Sequence, residues 1–228
     1  QALMINALEG IGAEILAKAM AYRLLCEQVD NGKPCGQCKA CELMNAGTHP
    51  DLFEIGPEEP GKPIKIDQIR QLCANVAKTS QQGGWKVVVI KPAEAMNIAA
   101  ANALLKSLEE PEANTLMILV AHRISRVPTT VRSRCQIESL VVPSREMALN
   151  WLVDNNTADD IDLNEVLTIA NGQPILALDY IQSGGLDNLK HVESLLERLR
   201  QSSESPLAAA QACQKYRPED VITWILGY

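Results

Sequence analysis

Short apolar runs alternate with helical spacing along the first part of the chain. Runs of four to six mostly apolar residues are typical of strands buried in the middle of a sheet. They predict buried strands at residues 2–6, 86–90 and 116–121, and two further strands are predicted at 51–55 and 135–140. Because helical stretches separate most of these runs, we expect an α/β domain with a mostly parallel sheet.

Three of the intervening stretches predict helices. Asn97 is placed to cap one of them, which runs to about Glu109 and ends before Pro111. The other two, at 15–26 and 66–76, each carry one apolar face at helical spacing. The two faces are Ile15, Leu16, Ala19, Met20 and Leu24, and then Ile66, Ile69, Leu72, Cys73 and Val76.

The pattern changes after Pro143, where only helical periodicity remains. Helices are predicted at residues 144–155, 162–171, 174–183 and 187–201. A hinge is expected at 142–144 and a second joint at 183–185. The sequence thus predicts an α/β domain at 1–142, a small helical domain at 143–185 and the start of another helical domain at 186–228. Both ends of the chain are apolar, so we expect both to be trimmed.

Composition and charge narrow the range of functions. The chain has 228 residues, 46% of them hydrophobic and 21% charged, as in ordinary globular proteins. The formal net charge of −7 disfavours strong binding of naked nucleic acid by this chain alone. No apolar run is long enough to predict a membrane span.

Four cysteines lie within sixteen positions, spaced C-x8-C-x2-C-x2-C. They are Cys26, Cys35, Cys38 and Cys41. This spacing is typical of a structural zinc site, in which four thiolates surround the ion and leave no position open for water. The alternative is a set of buried or redox-active thiols. His49 could approach this knuckle, and three further cysteines are predicted to be packed: Cys73, Cys135 and Cys213.

Residues 7–14 have the layout of a phosphate-binding loop without its chemistry. Gly10 and Gly12 preserve a turn between a strand and a helix. Ala13 replaces the lysine that binds phosphate, and Glu14 replaces the hydroxyl that binds magnesium. Glu14 would repel a triphosphate. We therefore expect the glycines to serve only as a turn.

The second half of an ATP site is also degraded. In a working ATP site, acidic residues directly follow the corresponding strand. Here Lys91 follows the strand at 86–90, and the first acidic residue, Glu94, lies three positions further along. Glu94 is predicted to be a solvated carboxylate at the start of a helix. Neither ATP hydrolysis nor tight nucleotide binding is expected.

Further motifs carry a family resemblance. With the cysteine cluster and residues 46–51, the runs 102–111 (NALLKSLEEP) and 131–135 (VRSRC) closely resemble the delta-prime family of the bacterial DNA polymerase III clamp loader. The likeness covers the chain to about residue 185. It implies an AAA+ fold: a parallel sheet with helices on both faces and a zinc knuckle at 26–41, then an all-α lid domain and an incomplete all-α collar domain.

The resemblance also implies a function. The chain would be an ATPase-inactive subunit of a bacterial, cytoplasmic DNA polymerase holoenzyme, with zinc as its cofactor. Arg134 would reach in trans to the ATP of a neighbouring subunit. The partners implied are the gamma/tau and delta subunits, with the sliding clamp and primed DNA reached through the complex. The nucleotide-sensing positions, at Ala121 or His122 and near 172–175, lack the residues that sense ATP.

Several alternatives stay open. Arg134 could instead pair with a local carboxylate, and Arg132 is a second candidate for its role. The helix at 102–111 could pack on the sheet or contact a subunit. The rival functions are a divergent gamma/tau-type ATPase and a zinc module for redox sensing or nucleic-acid binding.

Overall fold

The computed structural model describes residues 1–82, 84–156, 161–216 and 218–227. The chain's last residue, Tyr228, which falls in the segment predicted to begin a third domain, lies outside the described residues. The chain forms two compact units, Gln1–Val141 and Val142–Tyr228. The assignment of residues 143–185 and 186–228 to lid and collar domains stays a prediction.

The first unit alternates strands with helices. Its strands are β1 (Ala2–Asn6), β2 (Val29–Asp30), β3 (Lys33–Pro34), β4 (Leu52–Ile55), β5 (Lys86–Ile90), β6 (Thr115–Ala121) and β7 (Gln136–Ser139). Its helices are α1 (Ala13–Leu25), α2 (Lys39–Asn45), α3 (Ile66–Val76), α4 (Ile98–Glu109) and α5 (Thr129–Arg132). Five of the strands form one parallel sheet in the order β4-β5-β6-β1-β7, which confirms the predicted fold class.

Alternate residues of the central strands face two separate cores. Met4, Val88 and Met117 pack with α3 and α4 on one side of the sheet. On the other side, Ile5 and Val89 pack with α1 and α2. Burying each such side chain stabilises the fold by about 1.5–3 kcal/mol. Burial on both faces explains why these strands are continuously apolar in the sequence.

Helix α1 turns a different face to the sheet from the apolar face noted in the sequence. Ala13, Ala17 and Ala21 are buried, whereas Ile15 is 58% and Leu16 39% exposed. Alanines at intervals of four form a flat stripe, and this lets the helix approach the sheet closely. The predicted face was wrong at Ile15 and Leu16, whereas Met20 and Leu24 do pack against this core.

The other predicted helices of this unit are confirmed. Ile69, Leu72 and Val76 are the buried face of α3. Asn97 caps α4, since its Oδ1 accepts the backbone N–H of Ala100 at 2.7 Å.

The second unit contains helices and no strand among its described residues. They are α6 (Arg145–Asn155), α7 (Leu163–Ile169), α8 (Pro174–Ser183), α9 (Gly185–Arg200), α10 (Pro206–Cys213) and α11 (Pro218–Gly227). Leu152, Leu167, Val192 and Trp224 contribute to its core. Gly184, with a φ of 72°, separates α8 from α9 at the predicted joint. None of the helices described has the length and apolar character that crossing a bilayer requires.

Asp51 anchors the segment between α3 and β5. Its side chain is buried, and its two carboxylate oxygens accept the backbone N–H groups of Gln81 and Gln82, both at 2.9 Å. Its backbone oxygen accepts the N–H of Val87 at 2.9 Å. The glycine pair at 83–84 predicts a break in this segment, and Gly83 itself lies outside the described residues. Asp51 therefore fixes the chain just before β5 to the start of β4.

We predict that Asp51→Ala lowers the free energy of unfolding by about 2–3 kcal/mol, because two backbone N–H groups lose their acceptor. Urea denaturation followed by circular dichroism measures this. The matched control is Asp67→Ala on α3, whose side chain is 86% exposed. It should change the free energy of unfolding by no more than about 0.5 kcal/mol. Equal effects of the two substitutions would contradict the anchoring role.

Candidate functional site

The four predicted cysteines come together between α1 and β4. Cys26 is the C-cap of α1 and Cys38 the N-cap of α2, while Cys41 lies within α2. Cys35 follows β3, in a hairpin whose turn is Asn31-Gly32, with φ angles of 45° and 79°. An Asn-Gly pair between short strands is a known hairpin signal, so this element could have been read from the sequence.

The geometry of these sulfurs fits a metal ion. All four Sγ atoms lie within 4.8 Å of one another. The Cys26–Cys38 and Cys35–Cys41 separations are 3.9 and 4.0 Å. Four thiolates with metal–sulfur bonds of 2.3 Å would form a tetrahedron with edges of about 3.8 Å. The cluster can therefore hold a metal ion with little movement.

Backbone N–H groups support the thiolates. Those of Cys35, Cys38 and Cys41 donate to the Sγ atoms of Cys26, Cys35 and Cys38 at 3.2–3.4 Å. Although burial opposes ionisation, N–H groups such as that of Cys41 lower the pKa of Cys38 to about 6. Burial raises the pKa of Cys41 to about 12. Adjacent thiols cannot all ionise without a cation between them, so the full ligand set requires the metal.

His49 lies outside this ligand set. Its side chain is buried, and its Nδ1 accepts the backbone N–H of Asp51 at 3.2 Å. Burial lowers the pKa of His49, which keeps the imidazole neutral.

The degraded phosphate loop forms a turn between β1 and α1. Gly10 and Gly12 have φ angles of 80° and 102°, which residues other than glycine rarely adopt. Glu14 lies in the first turn of α1. Since β1, β5 and β6 are parallel, their carboxyl ends open onto the same edge, where α/β proteins bind ligands.

Three ionisable side chains meet at this edge. One carboxylate oxygen of Glu14 lies 3.3 Å from Nζ of Lys91, and the other lies 3.5 Å from Nε2 of His122. The hydrogen bond to His122 and the charge of Lys91 lower the pKa of Glu14, although burial opposes this. The same contact raises the pKa of His122. The sequence did not predict a partner for Glu14, because its contacts depend on strands far apart in the chain.

Glu94 is not the solvated carboxylate that the sequence predicted. It lies in a 3-10 turn after β5, and its oxygens accept the backbone N–H groups of His122 and Arg123. The shortest of these contacts, to Arg123, is 2.9 Å. The prediction was wrong because these N–H groups follow β6, which lies beside β5 only in the folded sheet.

Arg134 follows α5 and is paired within its own chain. Its Nε donates to Glu109 at the end of α4 at 2.6 Å, and its Nη1 donates to the backbone oxygen of Thr130 at 2.9 Å. The side chain is 32% exposed. Arg132 donates from Nη2 to Thr129 at 3.1 Å. Arg134 is thus a partly exposed guanidinium held by a carboxylate and a carbonyl.

Sequence comparisons connect the chain to replication proteins. A family model described as "DNA polymerase III, delta subunit" matches residues 1–143. The protein named DNA polymerase III subunit delta' from Pseudomonas aeruginosa is 43% identical over 202 residues, covering 87% of this chain and 62% of that protein. The proteins of the same name from Haemophilus influenzae and Escherichia coli are each 38% identical, over 100% and 90% of this chain. The chain spans 68% and 60% of those two proteins.

A solved structure has a similar fold. The crystal structure of a DNA polymerase III gamma subunit-related protein from Thermotoga maritima superposes with a TM-score of 0.57 at 22% sequence identity. The match covers 98% of this chain and 71% of that one. At this identity the likeness concerns the fold alone.

We predict that Glu94→Ala destabilises the first unit by about 1–2 kcal/mol, because two N–H groups at the end of β6 lose a charged acceptor. Hydrogen exchange at the amides of His122 and Arg123 should accelerate in this variant. The control is Glu112→Ala, a carboxylate in the loop before β6. If the two amides exchange equally fast in both variants, Glu94 does not hold the end of this strand.

Proposed function

The chain belongs to the delta-prime subunit family of DNA polymerase III, and we propose that it serves in the clamp loader as a subunit that does not hydrolyse ATP. In this role it assembles with AAA+ subunits that do hydrolyse ATP and presents Arg134 to one of them. The complex then loads the sliding clamp onto primed DNA. The observation that carries the proposal is the Glu14 carboxylate at the phosphate loop, in contact with Lys91 and His122.

Several features at the loop argue against hydrolysis. Ala13 supplies no ammonium group for the β- and γ-phosphates, and Glu14 supplies a carboxylate in place of the hydroxyl that would bind magnesium. Glu94 is committed to backbone N–H groups after β6, so it is not free to position a water. These features oppose the rival function of a divergent gamma/tau-type ATPase.

The position and chemistry of Arg134 support its role as an arginine finger. A guanidinium presents a rigid fork of donors to phosphate oxygens. Arg134 is partly exposed, and Glu109 holds its Nε side. Because exposed ion pairs contribute only about 0–1 kcal/mol, exchanging Glu109 for a phosphate costs little.

Zinc is the metal that we assign to the cysteine cluster. Four thiolates in a tetrahedron select zinc over hard cations such as magnesium. Cys26 and Cys41 are almost fully buried, which suits a structural ion with no open coordination site. Zinc would link the end of α1 to α2 and to the β2–β3 hairpin.

The partners we propose are other clamp-loader subunits, of the gamma/tau and delta types. Contact with the sliding clamp and primed DNA would be made through the complex. The chain's net charge of −7 supports this, because direct binding of DNA by one chain usually needs a basic surface.

Freshly purified protein is predicted to contain about one zinc ion per chain, as four thiolates form one closed site. Elemental analysis after gel filtration measures this. In Cys41→Ser the zinc should be lost on dialysis against a chelator that the native protein withstands, with a fall in melting temperature. Cys213→Ser, in the second unit, is the matched control and should keep its zinc. Native protein free of any metal would refute the assignment.

The isolated chain is predicted to hydrolyse no ATP and to bind none in a titration up to millimolar concentration. A loop without lysine and with a carboxylate in contact with two cations offers a triphosphate little to bind. Phosphate release and isothermal titration calorimetry are the two measurements. Turnover by the purified chain would favour the gamma/tau-type ATPase instead.

In a reconstituted clamp loader, Arg134→Ala is predicted to abolish hydrolysis at the one ATP site that it serves, where a finger contributes about 10³–10⁵ in rate. Single-turnover hydrolysis and clamp loading measure the effect. Arg134→Lys should not restore the rate, because a lysine lacks the guanidinium fork.

Two control variants separate this role from a structural one. Arg132 lies two residues before Arg134, and Arg132→Ala should leave hydrolysis intact. Glu109→Gln removes the negative charge of the local partner of Arg134 and should also leave hydrolysis intact. If Arg134→Ala and Glu109→Gln have the same effect, Arg134 acts only through its ion pair.

A further inference from the structure

Three elements converge on the Glu14 side chain. Glu14 is on the first turn of α1, Lys91 follows β5, and His122 follows β6. In a phosphate-binding α/β protein, this edge of the sheet holds the anion at the N-terminus of the helix. Here a carboxylate from the protein lies at that helix terminus, with one oxygen directed to each of the two cationic side chains.

The hydrogen bonds of His122 define its protonation. Its Nδ1 lies 3.1 Å from the backbone oxygen of Ala7. A carbonyl oxygen only accepts, so Nδ1 must carry a proton. Its Nε2 lies 3.5 Å from the carboxylate of Glu14, which also only accepts when ionised. Nδ1 therefore donates, and a second proton on Nε2, which makes the ring an imidazolium, gives the Glu14 carboxylate a cationic partner.

The remaining charges around His122 agree with this assignment. The Glu14 contact is the main cause that raises the pKa of His122, and Glu94 and Glu9 add further negative charge. Lys91 is the opposing cation, and it contacts Glu14 directly at 3.3 Å. The side chain of His122 is 14% exposed and that of Glu14 46%, so water screens the contact from the carboxylate side. A positive charge on His122 thus lies near the carboxylates of Glu14, Glu94 and Glu9 and the backbone oxygen of Ala7.

We propose that the Glu14 carboxylate is an internal anion, which takes the place of a bound phosphate and closes the loop onto the ends of β5 and β6. By holding Lys91 and His122, it keeps the loop in one shape without a ligand and excludes inorganic anions. Removing it exposes a latent site for phosphate or pyrophosphate, formed by the two cations and the N-terminus of α1. This site is formed by the chain's own residues and needs no partner subunit.

The stabilisation by this cluster should depend on pH. The pKa of Glu14 is below its usual 4.5, so its contribution is present above that value and is lost as the pH falls through the lowered pKa. The pKa of His122 is above its usual 6.5, so its contribution is complete below that value and is lost as the pH rises through the raised pKa. The cluster is therefore strongest between about pH 4.5 and 6.5.

The first test is the thermal stability of Glu14→Gln in the full chain at pH 6 and pH 9. We expect the melting temperature to fall by about 2–4 °C at pH 6 and by about half as much at pH 9, where only the contact with Lys91 remains. In a His122→Gln background, Glu14→Gln should have the same effect at both pH values. Asp67→Asn is the matched control, since it also removes an acidic residue from the first turn of a helix.

If Glu14→Gln and Asp67→Asn lower the melting temperature equally, and by the same amount at both pH values, Glu14 serves only the helix dipole and the proposal fails.

The second test uses inorganic pyrophosphate without magnesium as the probe. At pH 6 and millimolar concentration, it should raise the melting temperature of Glu14→Gln by about 2 °C or more, because a ligand that binds only the folded state stabilises it. The native protein and Asp67→Asn should shift by less than about 0.5 °C. Glu14→Gln combined with Lys91→Met should lose the effect. Equal shifts in all variants, or none in Glu14→Gln, would show that the carboxylate does not occupy an anion site.

Discussion

The parallel arrangement of β1, β5 and β6 is the constraint on which the functional edge of this protein depends. Parallel strands bring their carboxyl ends to one edge, and the residues that follow them must meet there whatever their chemistry. In this chain those residues are Lys91 and His122, and both can carry a positive charge. Two such side chains favour an anion between them, and the Glu14 carboxylate supplies one from within the chain. The carboxylate at position 14 and the absence of a lysine at position 13 therefore agree with one charge balance.

Helix α1 connects this edge to the cysteine cluster. It begins beside Gly12 and ends at Cys26, which is one of the four thiols. Its alanine stripe, at Ala13, Ala17 and Ala21, lies flat on the sheet and leaves little freedom for the helix to slide. A cysteine cluster that can hold a metal ion and the contacts of Glu14 thus lie at the two ends of the same helix. With the zinc that we propose bound, both ends of α1 would be held in place.

What the sequence could predict depended on whether the signal was local. The buried strands and the four cysteines follow from runs and spacings within a few residues, and the structure places them as predicted. The contacts of Glu94 and the pairing of Glu14 with His122 could not be predicted, because they join strands separated by about thirty residues or more. The prediction of the buried face of α1 was incomplete for another reason. Small residues carry a weak hydrophobic signal, although they allow a helix to approach the sheet most closely.

The ion pair between Arg134 and Glu109 does not by itself distinguish a structural role of Arg134 from a role as an arginine finger. A carboxylate that holds a guanidinium is the expected arrangement for any arginine without a phosphate nearby, so the pair fits both a structural role and a finger awaiting its ligand. A third of the Arg134 side chain is exposed, and such pairs contribute at most about 1 kcal/mol. A phosphate oxygen would offer the same guanidinium the same kind of charge-assisted bond as the carboxylate does. The pair with Glu109 therefore orients Arg134 in the free chain, and its small energy agrees with the exchange for a phosphate that we propose.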